Sequence, residues 1–102
     1  MRNKEKQFKS PLTSFQLLER IIVKSSEQLL DIAELLKNGK PILLSFELMD
    51  VAEANKMIGF LSGVAYALEG QTHLTSDKTI LFGSKENFED GTLDKFVRER
   101  NN

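Results

Sequence analysis

The chain has 102 residues, of which 14 are Lys or Arg and 15 are Asp or Glu, so its formal net charge is −1. This length fits one domain with a real core, and the balanced charge gives no global attraction to nucleic acid. The absence of cysteine excludes disulfides, thiolate nucleophiles and cysteine metal ligands, and it fits a cytoplasmic protein. No apolar run approaches the ~18 residues of a membrane span.

The N-terminal segment is polar and basic, and we predict a flexible lead-in over residues 1–14. Its cations are Arg2, Lys4, Lys6 and Lys9. The alternative is an arm that makes a weak contact with an anionic membrane surface, at about 1 kcal/mol per cation, with Phe8 dipping into the lipid.

The next stretch predicts a strand, a helix and a second strand. Residues 21–23 are β-branched and end a short strand. Ser25 offers an N-cap with Gln28 at capping-box spacing, and the helix that follows stops at Gly39. Residues 41–46 are nearly all apolar, which indicates a strand buried on both faces. Such a β-α-β unit makes the two strands parallel, with a right-handed crossover.

The stretch from residue 50 to residue 70 predicts the central helix of the fold. Asp50 is an N-cap candidate with Glu53 at capping-box spacing, and Gly70 is expected to end the helix in the left-handed conformation. Apolar residues cover roughly half of the helical wheel, which is wider than the ~100° stripe needed to pack on one sheet. We therefore expect this helix to be covered from two sides.

The opposite side of the same helix carries Ala52, Gly59 and Gly63 at helical spacing, an arrangement that lets another backbone approach closely. Each interior glycine costs about 1 kcal/mol relative to alanine, which indicates a compensating contact. Close packing within one subunit and contact between subunits both account for the pattern, and tolerated flexibility is a third explanation.

Residues 72–75 and 79–82 predict a β-hairpin. The predicted fold class is α/β, a two-layer α+β sandwich with a mixed sheet in the order β-α-β-α-β-β and two helices on one face. The second face of that sheet needs a cover, either a partner subunit or a short C-terminal helix. The predicted divisions are the lead-in, an α/β domain over residues 15–90 and a C-terminal segment over residues 91–102.

Several segments of the sequence match one pattern. They are Ala33-Glu-Leu-Leu-Lys-Asn-Gly39, Leu43-Leu44, the run from Ala54 to Gly70, Ile80-Leu81-Phe82 and Glu86-Asn87-Phe88. The most specific part is Phe60-Leu-Ser-Gly-x-x-Tyr-Ala-Leu-x-Gly70. In this register the chain resembles SepF, a family of bacterial and archaeal cell-division proteins.

The resemblance implies a small α/β domain that forms homodimers and polymers and binds the C-terminal tail of the tubulin-like division protein FtsZ. It implies a non-enzymatic, cytoplasmic adaptor at the division site, peripheral to the membrane and without a cofactor. Family members usually begin with an amphipathic membrane helix and a long linker. The short segment ahead of the domain shows no helix-period apolar residues, so we do not expect this chain to anchor itself.

By the same match, the FtsZ tail would be held by apolar anchors with a basic rim. The candidates are Ala54, Met57, Ile58, Leu81 and Phe82, with Lys56 and Lys85 at the rim. The periodicity of these five apolar residues also predicts that they are simply buried in the core. The alternative for the two lysines is that they lie on a solvated face. The candidates for self-association are Gly59, Gly63, Tyr66 and Gly70.

The sequence contains no catalytic constellation. His73 is the only histidine, which excludes a two-histidine metal site, and we expect it to be a hydrogen-bonding side chain. Gly83-Ser84-Lys85 lacks the earlier glycine and the helix of a phosphate-binding loop. We therefore predict no enzyme, metal or cofactor. The alternative to the adaptor is a small α/β module that binds another protein or RNA, although the basic face and exposed stacked aromatics of RNA readers are not evident.

Overall fold

A computed structural model describes residues 12–100 of the chain. The elements in chain order are helix α1 (Ser14–Leu17), strand β1 (Glu19–Ile22), a 3₁₀ turn (Ser26–Gln28), helix α2 (Leu29–Lys37), strand β2 (Ile42–Ser45), helix α3 (Val51–Ala67), strands β3 (Gln71–Ser76) and β4 (Thr79–Gly83), a second 3₁₀ turn (Glu86–Phe88) and helix α4 (Thr92–Arg100). The predicted order is confirmed, the short C-terminal helix named in the prediction is α4, and α1 is an additional element at the start.

The four strands form one mixed sheet in the order β1-β2-β4-β3. Strands β1 and β2 are parallel, as the β-α-β unit predicts, whereas β4 is antiparallel to both of its neighbours. In the register of the two central strands, Leu43 lies opposite Leu81 and Leu44 lies opposite Ile80. Because neighbouring residues of a strand point to opposite faces, this register sends side chains into two separate cores.

One core lies between the sheet and helices α2 and α3, and it includes Leu36, Leu44, Met57, Leu61 and Phe82. The other core lies on the opposite face and is formed by Leu43, Leu81, Phe88, Leu93, Phe96 and Val97, with Leu18 packed against them. Helix α4 therefore covers the second face of the sheet. The sequence allows either a partner subunit or a short C-terminal helix as the cover of this face, and the structure shows the helix.

The two main helices begin as predicted, but α3 ends differently. Ser25 forms a capping box with Gln28, and the Asp50 carboxylate accepts a hydrogen bond from the Glu53 backbone amide at 3.3 Å. The left-handed residue after α3 is Glu69, with φ of 57°, and not Gly70. Gly70 lies where the chain enters β3, and there a Cβ atom would lie 1.8 Å from the Gly83 carbonyl oxygen. Glycine at position 70 therefore allows the close approach of the two chain segments and is not needed for the turn after α3.

Helix α1 was not predicted, because a helix of four residues has no readable period and is held by distant groups. The Thr13 side chain accepts a hydrogen bond from the Gln16 amide, and the Gln16 side chain accepts one from the Thr13 amide, so the two residues form a capping box. The Ser14 amide donates to the Asp90 carboxylate at 2.9 Å, and the Phe15 amide donates to the Thr92 hydroxyl at 3.0 Å. The end of the predicted lead-in thus packs on the start of α4, while residues 1–11 lie outside the described part of the chain.

Candidate functional site: the outer face of helix α3

Helix α3 is covered on one side only. Its buried residues are Ala54, Met57, Leu61 and Ala65. Their spacing of three or four residues places them in a single stripe that faces the sheet. The opposite side of the helix is open to solvent, so the two-sided covering expected from its composition is not provided within one subunit.

The open side carries three of the four residues predicted for self-association. Apart from the adjacent residues and the nearby backbone of the helix itself, no atom of the described residues lies within 4 Å of a Cβ built at Gly59 or Gly63. One turn later, Tyr66 is 84% exposed. The structure therefore brings these three residues together on a surface where no contact within the subunit compensates for the two glycines. Among the explanations that the sequence allows, close packing inside one subunit is wrong for this pair.

Gly70, the fourth residue predicted for self-association, lies apart from this surface. A side chain there would meet Gly83 and Ser84 of the neighbouring strand end, all backbone atoms. The same corner is fixed by Asn87, whose buried side-chain oxygen accepts from the Ser84 amide at 2.8 Å and whose nitrogen donates to the Gly39 carbonyl at 2.9 Å. The close contact of Gly70 is thus within one chain.

The residues predicted to hold the FtsZ tail are mostly interior. Ala54, Met57 and Phe82 lie in the core beneath α3, whereas Leu81 lies in the core beneath α4. Ile58 is half-buried against the first of these cores. Because the sheet separates Leu81 from the other four, the five residues do not line one open groove.

The two predicted basic rim residues are exposed. Lys56 projects from α3, and the Lys85 ammonium lies 3.7 Å from the Glu69 carboxylate. Both side chains of that ion pair are more than half exposed, so the pair contributes little to stability and Lys85 can exchange it for another anion.

Two exposed apolar side chains on the helix side of the sheet are not among the predicted site residues. Phe60 of α3 is 46% exposed, and Leu74 of the edge strand β3 is 61% exposed. Leu74 pairs with Ile80, a residue of the core beneath α3, so both side chains lie on the helix side of the sheet. Strand alternation could have identified Leu74, but only with the knowledge that β3 lies at the edge of the sheet.

The described residues contain no group of three or more histidine, cysteine, aspartate or glutamate side chains that could hold a metal ion. A nitrogen of the His73 ring lies 2.6 Å from the Gln71 side-chain oxygen, and the ring packs 5.7 Å from that of Phe88. In the same part of the chain, helices long and apolar enough to span a membrane are absent.

Comparison with known proteins gives a consistent result. A family model described as "Cell division protein SepF" matches residues 21–86, which contain α2, α3 and all of β2, β3 and β4. The chain is 41% identical over 63 residues to a Thermoanaerobacter sp. protein named cell division protein SepF, and 32% identical over 68 residues to a protein of the same name from Natranaerobius thermophilus. These matches cover 62% and 67% of the chain but only 45% and 41% of the two relatives.

Among solved structures, the chain is similar to a SepF-like protein from Pyrococcus furiosus, with a TM-score of 0.60. That match covers 76% of this chain and 94% of the archaeal one, at 15% sequence identity. At such low identity the likeness shows the shared fold alone.

Proposed function

The chain belongs to the SepF family, and on this premise we propose that it is a non-enzymatic adaptor in septum formation that binds the C-terminal tail of FtsZ and self-associates. The observation that carries the proposal is the family match over residues 21–86, because it includes the helix whose outer face is left open. In this proposal the protein works in the cytoplasm at the division site, with its membrane contact supplied by the basic N-terminal segment.

Self-association is proposed for the outer face of α3. Helices pack closely where small residues let their backbones approach, and Gly59 and Gly63 offer such a place with open space above it. Tyr66 beside them supplies a large side chain with a polar tip, a residue type enriched in protein interfaces. Two copies that bury this face against each other would give the two-sided covering that the composition of the helix predicts.

The FtsZ tail is proposed to bind next to that face. An extended peptide needs exposed apolar surface for its anchors, and Phe60 and Leu74 supply it on the helix side of the sheet. Lys56 on the same helix can attract acidic residues of the tail. The interior candidates Met57 and Phe82 would then act indirectly, by holding α3 and the sheet in place.

The proposal is tested by fluorescence anisotropy with a labelled FtsZ C-terminal peptide. Leu74→Ser should weaken binding about tenfold, since an exposed leucine that becomes buried on binding is worth roughly 1–2 kcal/mol. The matched control is Ile22→Ser, because Ile22 is also on an edge strand and 50% exposed but shares the opposite face of the sheet with Leu43. Equal weakening by both variants, or no binding by the folded wild-type protein, would contradict the proposal.

Self-association is tested separately by light scattering. Gly63→Lys should lower the mass of the assembly while leaving the helical circular dichroism unchanged, because the new side chain has free space within the subunit. An unchanged mass would show that another face makes the contact.

A further inference from the structure

The face of the molecule opposite α3 carries a cluster of aromatic and cationic side chains. The rings of Phe15 in α1 and Phe96 in α4 lie 5.6 Å apart. The guanidinium carbon of Arg20 lies 5.6 Å from the first ring centroid and 5.9 Å from the second, and that of Arg100 lies 5.4 Å from the Phe96 ring. Each cation is held near an aromatic face, so the charges are positioned and not freely mobile.

Hydrogen bonds between the two helices fix this arrangement. The Asp90 carboxylate accepts from the Ser14 amide at 2.9 Å and from the Thr92 amide at 3.0 Å, and these bonds keep the pKa of Asp90 below its usual range. The Thr92 hydroxyl in turn accepts from the Phe15 amide at 3.0 Å. As a result, α1 cannot leave α4 without breaking a connected set of bonds.

An open hollow of about 350 Å³ lies between the two helices. Phe15 and Phe96 form its apolar part, and Lys95 and Glu99 are its charged members. Phe15 remains 39% exposed although it packs on Phe96. The Phe15 ring thus has the cations Arg20 and Lys95 near it and one carboxylate, Glu99, in the same hollow. An apolar ring with an excess of cations is typical of surfaces that lie at a membrane interface.

We propose that this α1–α4 face, made of Phe15, Arg20, Lys95, Phe96 and Arg100, lies against an anionic lipid bilayer. Chain continuity favours a bilayer over an acidic peptide, because Thr13 at the edge of the hollow follows the basic N-terminal segment. That segment contains Arg2, Lys4, Lys6 and Lys9 against a single acidic residue, Glu5. An extended charged surface can engage the face and the segment together.

The inference rests on the proposed function and adds to it the side of the domain that faces the membrane. With the α1–α4 face on lipid, the outer face of α3 points away from the membrane, since the sheet lies between the two helical layers. The proposed contacts with FtsZ and with a second copy would then remain accessible from the cytoplasm.

The test is cosedimentation of the full chain with vesicles that contain phosphatidylserine, compared with phosphatidylcholine alone. The double variant Arg20→Gln, Lys95→Gln should reduce binding about 30-fold, because each basic residue near an anionic surface changes the binding constant about fivefold. The charge-matched control is Lys37→Gln, Lys40→Gln, because Lys37 ends α2 and Lys40 pairs with Glu19. The strand partner of Glu19 is Ile42, a residue of the core beneath α2 and α3, so both control cations lie on the other side of the sheet. The control should bind within about twofold of wild type, and binding should weaken with added salt.

Several results would overturn the inference. If the wild-type protein does not bind vesicles that contain phosphatidylserine, the bilayer is excluded as the partner. If both double variants lose vesicle binding equally, the attraction is diffuse and no face is preferred. Polyglutamate that binds the face, with vesicle binding unaffected by Arg20→Gln, would assign it to an acidic peptide instead. Thermal melting of each variant confirms folding. Binding of the labelled FtsZ peptide to the same variants tests the adaptor role independently, because that site lies on the other face.

Discussion

Replacement of glycine by alanine should have opposite effects at two positions of this chain. In the middle of α3, a Cβ at Gly63 would meet no atom of the described residues within 4 Å beyond the adjacent residues and the nearby backbone of the helix itself. Alanine there should therefore stabilise the isolated domain by about 1 kcal/mol through helix propensity alone. For a domain of this size the gain raises Tm by roughly 4–8 °C. At Gly70 a Cβ would lie 1.8 Å from the Gly83 oxygen and 2.7 Å from its carbonyl carbon. Because the obstacle is backbone, we expect a loss of about 3 kcal/mol, the upper range for overpacking.

The Gly63→Ala effect should depend on protein concentration. A subunit that binds through α3 would hold a second backbone against Gly63, and an added methyl group would separate the two helices. In urea unfolding, Gly63→Ala should therefore raise the free energy of unfolding at concentrations where the protein is monomeric. At concentrations where the dimer dominates, that increase should disappear or change sign. Gly70→Ala should destabilise at both concentrations. Equal stabilisation by Gly63→Ala at high and low concentration would refute the assignment of this face to self-association, and destabilisation of the monomer would refute the open geometry itself.

Three further predictions concern the supports of the two cores. Asp90→Asn should lower Tm at neutral pH, and because the pKa of Asp90 is lowered by its hydrogen bonds, the difference from wild type should shrink as pH falls below about 4 in thermal melts. Leu81→Ala should lower the free energy of unfolding by about 2–5 kcal/mol in urea titrations, with an unchanged FtsZ affinity once corrected for the folded fraction. Asn87→Ala should cost about 1–3 kcal/mol for each backbone partner left unpaired, which the same titrations measure, and a loss below 1 kcal/mol would contradict its role at the strand corner.

Local signals were sufficient for most of the fold. The apolar run of β2, the capping residues Ser25 and Asp50 and the short hairpin each act over a few residues, so their pattern is readable without tertiary information. What the pattern could not supply was the identity of the second cover of the sheet. An apolar face requires a partner layer, but its composition does not say whether α4 or another chain provides it.

The candidate site was harder to predict for a related reason. Met57 and Phe82 follow the periodicity of buried residues, whereas their placement in a groove came from the family resemblance alone. Phe60 belongs to the same apolar set of α3, yet it is half exposed because the helix packs on the sheet along one narrow stripe. The width of that stripe depends on where α2 and α3 sit on the sheet, which is a long-range property that no window of sequence contains.

The structure also changes the physical reason for expecting self-association. An uncovered sheet face is no longer an argument, because α4 buries Leu93 and Phe96 there. The remaining argument concerns α3, where Gly59 and Gly63 together cost about 2 kcal/mol of helix stability and gain no contact inside the subunit. For a domain with a total stability of about 5–15 kcal/mol, that is a substantial loss. A second helix backbone against the glycines would offset it, and no residue larger than glycine would allow the same approach.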